Sequence, residues 1–284
     1  MSIVYLNGRL VDENRAVVSA LDRGLLYGDG LFETMRAYAG RVFRLEAHRE
    51  RRARAARALR IPIEVDASAA ERALQANRLE DAYVRITVTR GIHGGDLGLD
   101  TGAPPTLLVQ ARKFHSYPKT LYARGMALSL ADAVRPTRSL VGRHKTLNYL
   151  ENLLARDAAK RGGADETLFL DERGFVAECS ASNIFFVRRG ALLTPDASMN
   201  ILPGITRAVV IELARAAGIR VKEGRFRLAE LKRADEAFLT NSLMELMPVR
   251  EIAGATIGRG VPGAVTTALA AAYRRLVEAE CHAD

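Results

Sequence analysis

Tyr83-Val84-Arg85-Ile86-Thr87-Val88-Thr89 alternates β-branched apolar residues with polar ones, which is the period of a strand with one buried face. What flanks it sets the fold class. Ahead of it, residues 68–76 read as a helix with Asp66 as its cap. Behind it come a Gly-rich loop at 90–101 and a further strand at 106–111. Strand, loop and strand with no crossover helix break the βαβ alternation, so this half reads as α+β rather than as a doubly wound sheet.

Working outward, the short apolar runs 3–6 and 9–11 flank Asn7-Gly8, a hairpin signal. Residues 41–44 read as a strand and 46–59 as a helix. Around Pro118 the pattern breaks, and 114–124 reads as a linker between a first domain, 1–113, and a second, 125–284. The second carries expected strands at 127–130, 167–170, 184–187 and 236–240, and helices at 147–161, 206–217 and 262–277. There is no internal repeat and no low-complexity segment.

The 284 residues are 48% hydrophobic and 26% charged, which fits a folded globular chain with a substantial core. No apolar run approaches the roughly 18–20 residues that span a membrane. The N-terminus lacks a basic segment leading into an apolar one, so it reads without a signal peptide. Two cysteines, Cys179 and Cys281, are too few for a disulfide scaffold and fit a reduced, cytoplasmic setting. The formal charge of +9 raises nucleic acid or an anionic small molecule as partners. The most basic stretch, 44–60, interleaves its arginines with alanine and leucine at helical spacing and has no aromatics. It reads as a solvated helix face, and a basic nucleic-acid-binding module stands as the non-enzyme alternative.

Several motifs carry no chemistry. Gly258-Arg259-Gly260-Val261-Pro262-Gly263 matches a dinucleotide fingerprint, but no second strand follows, so it reads as a loop before the last helix. The five histidines have no metal-ligand spacing, Asp96 and Asp100 do not make a calcium loop, and there is neither a nucleophile elbow nor a Walker loop. No metal site is expected.

What remains is a lysine, a carboxylate and two sets of hydroxyls. Leu202-Pro203-Gly204-Ile205-Thr206 opens a helix, and reads either as a phosphate site at a helix N-terminus or as an ordinary Thr N-cap. Thr240-Asn241-Ser242 ends a strand, and reads as a second phosphate cradle or as a turn. Lys145 precedes a helix whose Leu147, Leu150, Leu153 and Leu154 are expected to face a core; it reads as an amine nucleophile or as a surface residue. Glu178 has small and apolar neighbours. It is expected to be partly buried, held either by Ser180, Ser182 and Asn183 or by a protonated ring nitrogen. Pyridoxal phosphate needs such a set: a lysine amine, a carboxylate on the pyridine nitrogen and a phosphate cradle.

Five segments together resemble the class IV (fold type IV) pyridoxal-phosphate enzymes, namely branched-chain aminotransferases, D-amino-acid aminotransferases and aminodeoxychorismate lyases. They are residues 27–34 (YGDGLFET), 144–149 (HKTLNY), 178–185 (ECSASNIF), 202–207 (LPGITR) and 240–249 (TNSLMELMPV). The resemblance covers nearly the whole chain. It implies a small N-terminal α/β domain, a larger pseudo-barrel C-terminal α/β domain, an active site in the cleft between them, and a homodimer in which each subunit lends a loop to its neighbour. It implies that Lys145 forms the Schiff base with pyridoxal 5'-phosphate and shuttles the proton. Glu178 would pair with the pyridine nitrogen and Tyr149 with the phenolic oxygen. Arg51 would grip the phosphate, with Ile205, Thr206, Thr240 and Asn241 around it.

Within the family the pointers diverge. Residues 90–99 lack the Arg-x-His of the D-amino-acid enzymes. Tyr27, Phe32 and Arg85 match positions lining the branched-chain pocket. Thr240-Asn241-Ser242-Leu243-Met244 and Glu178-Cys179 look more like the lyase. The preferred expectation is transamination between an L-amino acid, branched-chain or aliphatic, and a 2-oxo acid such as 2-oxoglutarate. The lyase, which eliminates pyruvate, is the alternative, followed by a D-amino-acid or amine transaminase.

Overall fold

The computed structural model describes residues 2–63, 66 and 68–282. They divide into two compact units: one formed by residues up to His115 together with His144–Asn148 and the C-terminal segment from Val277, the other by Ser116–Arg143 and Tyr149–Leu276. The chain first passes from one unit to the other between His115 and Ser116, and Lys119–Arg124, expected as linker, is helical. Lys145, expected in the second domain, packs with the first unit. No described helix is long and apolar enough to cross a membrane.

The first unit is α+β. Its strands are β1 (Ile3–Leu6), β2 (Arg9–Asp12), β3 (Gly30–Tyr38), β4 (Arg41–Val42), β5 (Ala82–Thr89) and β6 (Leu107–Lys113), and its helices α1 (Arg23–Tyr27), α2 (Leu45–Ala58) and α3 (Ala69–Ala76). The sheet order is β2-β1-β6-β5-β3-β4. Leu6 pairs with Arg9 across Asn7-Gly8, as the hairpin signal requires. Asp66 accepts from the amide and hydroxyl of Ser68, which leads into α3. One face of the sheet, including Met35, Val84, Ile86 and Val109, packs with Ala55, Ala56, Ala70 and Leu74 of α2 and α3.

The long strand β3, flanked on its outer side only by the two-residue β4, escapes the sequence pattern. Nearly every residue in it is buried, so it shows no alternation, and Glu33 stands among the core-facing side chains. Strand 41–44 is shorter than expected because the chain turns at Arg44, with φ +54.

In the second unit α4 (Lys119–Arg124) precedes β7 (Met126–Leu130), and α5 (Leu150–Arg161) precedes β8 (Glu166–Leu170), β9 (Val176–Cys179), β10 (Asn183–Arg188) and β11 (Ala191–Pro195). Then follow α6 (Ile205–Ala216), β12 (Val221–Gly224), α7 (Leu228–Leu231), β13 (Glu236–Asn241), β14 (Glu245–Ile252), β15 (Ala255–Thr256) and α8 (Ala264–Cys281). The mixed sheet runs β12-β11-β10-β13-β14-β7-β8-β9, with β15 on β14. Its core holds Leu168, Val176, Ile184, Phe186, Leu239 and Met247.

The helix expected from residue 147 starts three residues later. Leu150, Leu153 and Leu154 are 68%, 56% and 59% exposed, so they do not face a core within the chain. Residues 145–147 are drawn away from the helix by an edge of the first sheet. Phe32 N donates to Lys145 O (2.8 Å), Leu147 N donates to Gly30 O (3.0 Å), and Leu31 pairs with Thr146. β4 covers the other end of the same edge, at Ala37 and Tyr38. The close approach requires glycine at position 30, where a Cβ would run into the Val88 carbonyl oxygen.

Candidate active site

The first unit assembles a cationic group around one strand. Phe32 and Glu33 are neighbours on β3 and point to opposite sheet faces. On the Phe32 side, Lys145 Nζ lies 4.5 Å and the Arg85 guanidinium 4.0 Å from the ring centroid. Arg85 comes from β5, where it stands opposite Thr34, and its Nε donates to Thr87 Oγ1 (3.2 Å). Among the described residues it makes no ion pair. Lysine and arginine against one aromatic ring place two positive charges beside an apolar surface.

On the other face Glu33, 1% exposed, receives Arg51 Nε at 2.9 Å and Arg51 Nη2 at 2.5 Å, and His48 Nδ1 lies 2.8 Å from its Oε2. His48 and Arg51 are three residues apart on α2 and so share a face. Burial alone would raise the Glu33 carboxyl, but the Arg51 charge and the hydrogen bonds from His48 and Arg51 outweigh it and hold it at about 2. Burial pushes His48 below its ordinary value, against the pull of Glu33 and with the positive charges of Arg51 and Lys145. The cluster is therefore a carboxylate, a guanidinium and a neutral imidazole that donates from Nδ1.

Tyr27 ends α1 and is half exposed, with the Arg23 guanidinium 5.2 Å from its ring. Two acids fix this segment. Asp22 caps α1 through Gly24 N (2.7 Å) and accepts from Thr89 and Thr106 hydroxyls. Asp29 holds Arg23 at 2.7 Å and Arg90 at 2.8 Å.

The second unit assembles an acid and an anion cradle. Glu178, on β9, is 8% exposed. Its Oε2 accepts from Asn183 Nδ2 (3.2 Å) and Leu202 N (3.1 Å), and the same Asn183 amide donates to Leu202 O (2.9 Å). Asn183 is one of the donors expected; Ser180 is turned instead to Glu166, its hydroxyl 2.6 Å from Oε1. The Ser180 carbonyl accepts from the Tyr149 hydroxyl (2.8 Å) and from Asn152 (2.6 Å). Burial, and then the Glu178 and Glu166 carboxylates, push the Tyr149 phenol up to about 12, so it stays protonated.

The segment that binds Glu178 runs directly into α6. The N-cap of α6 is Gly204, not Thr206, and no side chain caps the helix. Its first-turn amides, from Ile205 and Thr206, lack the side-chain acceptor that the N-cap reading would supply. A Cβ at Gly204 would collide with Asn183 Oδ1, so the turn fits glycine alone. Thr206 is buried, and the Thr240 hydroxyl is buried with no hydrogen-bond partner. An uncapped helix start and an orphaned buried hydroxyl are what an anion would satisfy. Asn241 makes the turn instead: its Oδ1 accepts from Leu243 N and Met244 N, and its Nδ2 donates to Ala181 O.

Sequence reasoning singled out the lysine, the arginines, Glu178 and the hydroxyls, and did not assign roles to Glu33, His48, Asp22, Asp29 or Glu166. The one available signal was a glutamate inside an apolar run that a histidine and an arginine on one helix face could neutralise.

Comparison with known proteins places these groups in a family. A Methanocaldococcus jannaschii protein provisionally named a branched-chain-amino-acid aminotransferase is 43% identical over 273 residues, 94% of this chain and 93% of that one. The aminodeoxychorismate lyase of Bacillus subtilis is 34% identical over 286 residues, covering 99% and 96%. The solved branched-chain amino acid aminotransferase of Thermobaculum terrenum, in its PLP-form, superposes with a TM-score of 0.85 at 30% identity, covering 98% and 94%. The sequence profile described as Amino-transferase class IV matches residues 30–252, the span that holds both the Lys145 segment and the Glu178–Thr240 cradle, and the chain therefore belongs to that family of pyridoxal-phosphate enzymes.

Proposed function

We propose that the protein transfers the amino group of an L-amino acid, branched-chain or aliphatic, to 2-oxoglutarate. The observation that carries this reading is the pair of cations on one aromatic ring, Lys145 and Arg85 against Phe32. A lysine that moves a proton and an arginine that receives a second carboxylate beside an apolar wall suit both halves of such an exchange. The names of the Methanocaldococcus jannaschii and Thermobaculum terrenum relatives support the substrate class.

Pyridoxal phosphate, when bound, supplies the electron sink through which the α-proton and amino group of the substrate become mobile. The residues around it have separate tasks. Lys145 Nζ is the attachment point and the base that takes and returns the proton. Glu178 keeps a proton on the pyridine nitrogen, itself oriented by Asn183 and the Leu202 amide. Arg51, the α6 amides of Ile205 and Thr206, and the Thr240 hydroxyl hold the phosphate. The orphaned Thr240 hydroxyl and the uncapped helix fit that group. Tyr149, a neutral phenol whose proton goes to the Ser180 carbonyl in this structure, would turn that proton to the phenolic oxygen of the cofactor. Phe32 and Tyr27 bound the side-chain pocket, and Arg85 takes the distal carboxylate of glutamate or 2-oxoglutarate.

The protein works in the cytoplasm as a homodimer on this reading. The exposed Leu150, Leu153 and Leu154 of α5, together with exposed Leu21, Leu25 and Leu26 at α1, support association. The second reading, pyruvate elimination from aminodeoxychorismate, rests on the 240–244 segment and on the Bacillus subtilis relative. Purified enzyme given an L-branched-chain amino acid and 2-oxoglutarate distinguishes them: glutamate is the product expected, and pyruvate from aminodeoxychorismate alone is the opposing result.

A further inference from the structure

The Glu33 cluster is an anion placed against a cation that has another anion to bind. Two bonds, Oε1 to Nε and Oε2 to Nη2, hold one edge of the Arg51 guanidinium in the plane of the carboxylate. His48 adds a third contact, to the same Oε2 that takes Arg51 Nη2, from one turn away on α2. Glu33 and His48 are 1% and 2% exposed, and Arg51 6%. Stability alone does not call for such an arrangement, since a buried ion cluster is often no more stabilising than apolar packing. What a bidentate pair does supply is direction: it removes the rotations by which a long arginine side chain would otherwise search. Glu33 reaches Arg51 from β3, the strand whose opposite face carries Phe32 beside Lys145, so the phosphate arginine and the lysine are indexed to one rigid element.

We propose that Glu33, backed by His48, is a positioning residue that orients the Arg51 guanidinium for the cofactor phosphate. The proposal rests on the reading of Arg51 as a phosphate contact. Glu33 does not touch the cofactor; it lowers the entropy that Arg51 would lose on binding it. Its effect therefore belongs to the phosphate alone and vanishes when Arg51 is gone.

The test titrates the full chain, freed of cofactor, with pyridoxal phosphate and separately with pyridoxal, which lacks the phosphate. Glu33→Gln is expected to weaken pyridoxal phosphate by about tenfold or more while changing pyridoxal by less than about twofold. Glu33→Asp keeps the charge but is too short to span both nitrogens, so it recovers part of the loss. In an Arg51→Ala background, Glu33→Gln adds no further loss. Equal weakening of both compounds, an unchanged affinity for pyridoxal phosphate, or a full additional loss in the Arg51→Ala background overturns the proposal. If Glu33→Gln does not fold, Glu33→Asp decides alone, and an unchanged preference for the phosphorylated compound in it is the overturning result. Failure of the underlying reading looks different: Arg51→Ala by itself then leaves that preference intact.

Discussion

The Phe32 amide donates to the Lys145 carbonyl at 2.8 Å, and Lys145 Nζ returns to within 4.5 Å of the centre of the Phe32 ring. The lysine is thus gripped by a strand at its backbone and against an aromatic ring at its tip, which leaves its amine little freedom to swing away. Lys145→Ala is expected to lower turnover by at least about a thousandfold, because the group that moves the proton is lost. The variant should still fold, since the backbone pairing to β3 does not use the side chain. Steady-state turnover with contamination controls checks this; activity near the parent level contradicts it.

Glu178→Gln should preserve the fold and slow the half-reaction with an amino acid by about a hundredfold or more, a few kcal/mol of barrier. The amide still accepts from Asn183 and Leu202 but cannot keep a proton on the pyridine nitrogen. Single-turnover kinetics in a stopped-flow instrument reads the rate directly, and a rate within a few fold of the parent makes Glu178 a structural residue.

The Glu33–His48–Arg51 cluster also predicts how stability depends on pH. Both Glu33 and His48 have folded values below their ordinary ones, so the unfolded chain binds more protons and stability is lost on acidification. The loss from His48 begins as pH falls through its ordinary value of 6.5. The loss from Glu33 begins near 4.5 and runs to about 2. Urea midpoints at pH 7.5 and pH 5.5 should therefore differ less in His48→Gln than in the parent. Identical differences mean that His48 takes up its proton in the folded state as readily as in the unfolded one.

Arg85→Ala should separate the two half-reactions. The return step with 2-oxoglutarate presents a second carboxylate and should slow by about ten- to a hundredfold, the loss of one charge-assisted contact. The forward step with leucine presents none and should change far less. Equal losses in both directions would assign Arg85 to the wall of the pocket through its packing on Phe32.

How much of this was legible in the sequence follows from the range of the forces involved. Strand β5, the Asn7-Gly8 hairpin and the helices α2 and α6 were readable because their signals are local: alternation, turn chemistry and helical spacing. β3 was not, because its burial on both faces erases alternation and its glutamate is neutralised from α2, fifteen or more residues away. β14 carries Pro248, which argues against a strand, yet its pairing with β7 begins only at Val249. The start of α5 was misplaced for the same kind of reason: Lys145–Leu147 have helix-compatible neighbours, but the open edge of β3 claims their backbone. For the site, Lys145 and Glu178 were legible through motifs. Of the groups that hold them, Phe32 for the lysine and Leu202 for the acid need the fold, whereas Asn183 is legible as a donor from its place five residues after Glu178.

The central claim is amino transfer between an L-amino acid and 2-oxoglutarate, and the absorption spectrum of the holoenzyme tests it most directly. Addition of L-leucine should shift the visible absorption of the bound cofactor to that of its aminated form, and 2-oxoglutarate should restore the original band. If no L-amino acid alters the spectrum, while aminodeoxychorismate is converted to 4-aminobenzoate and pyruvate, the enzyme is a lyase and the transfer reading is wrong.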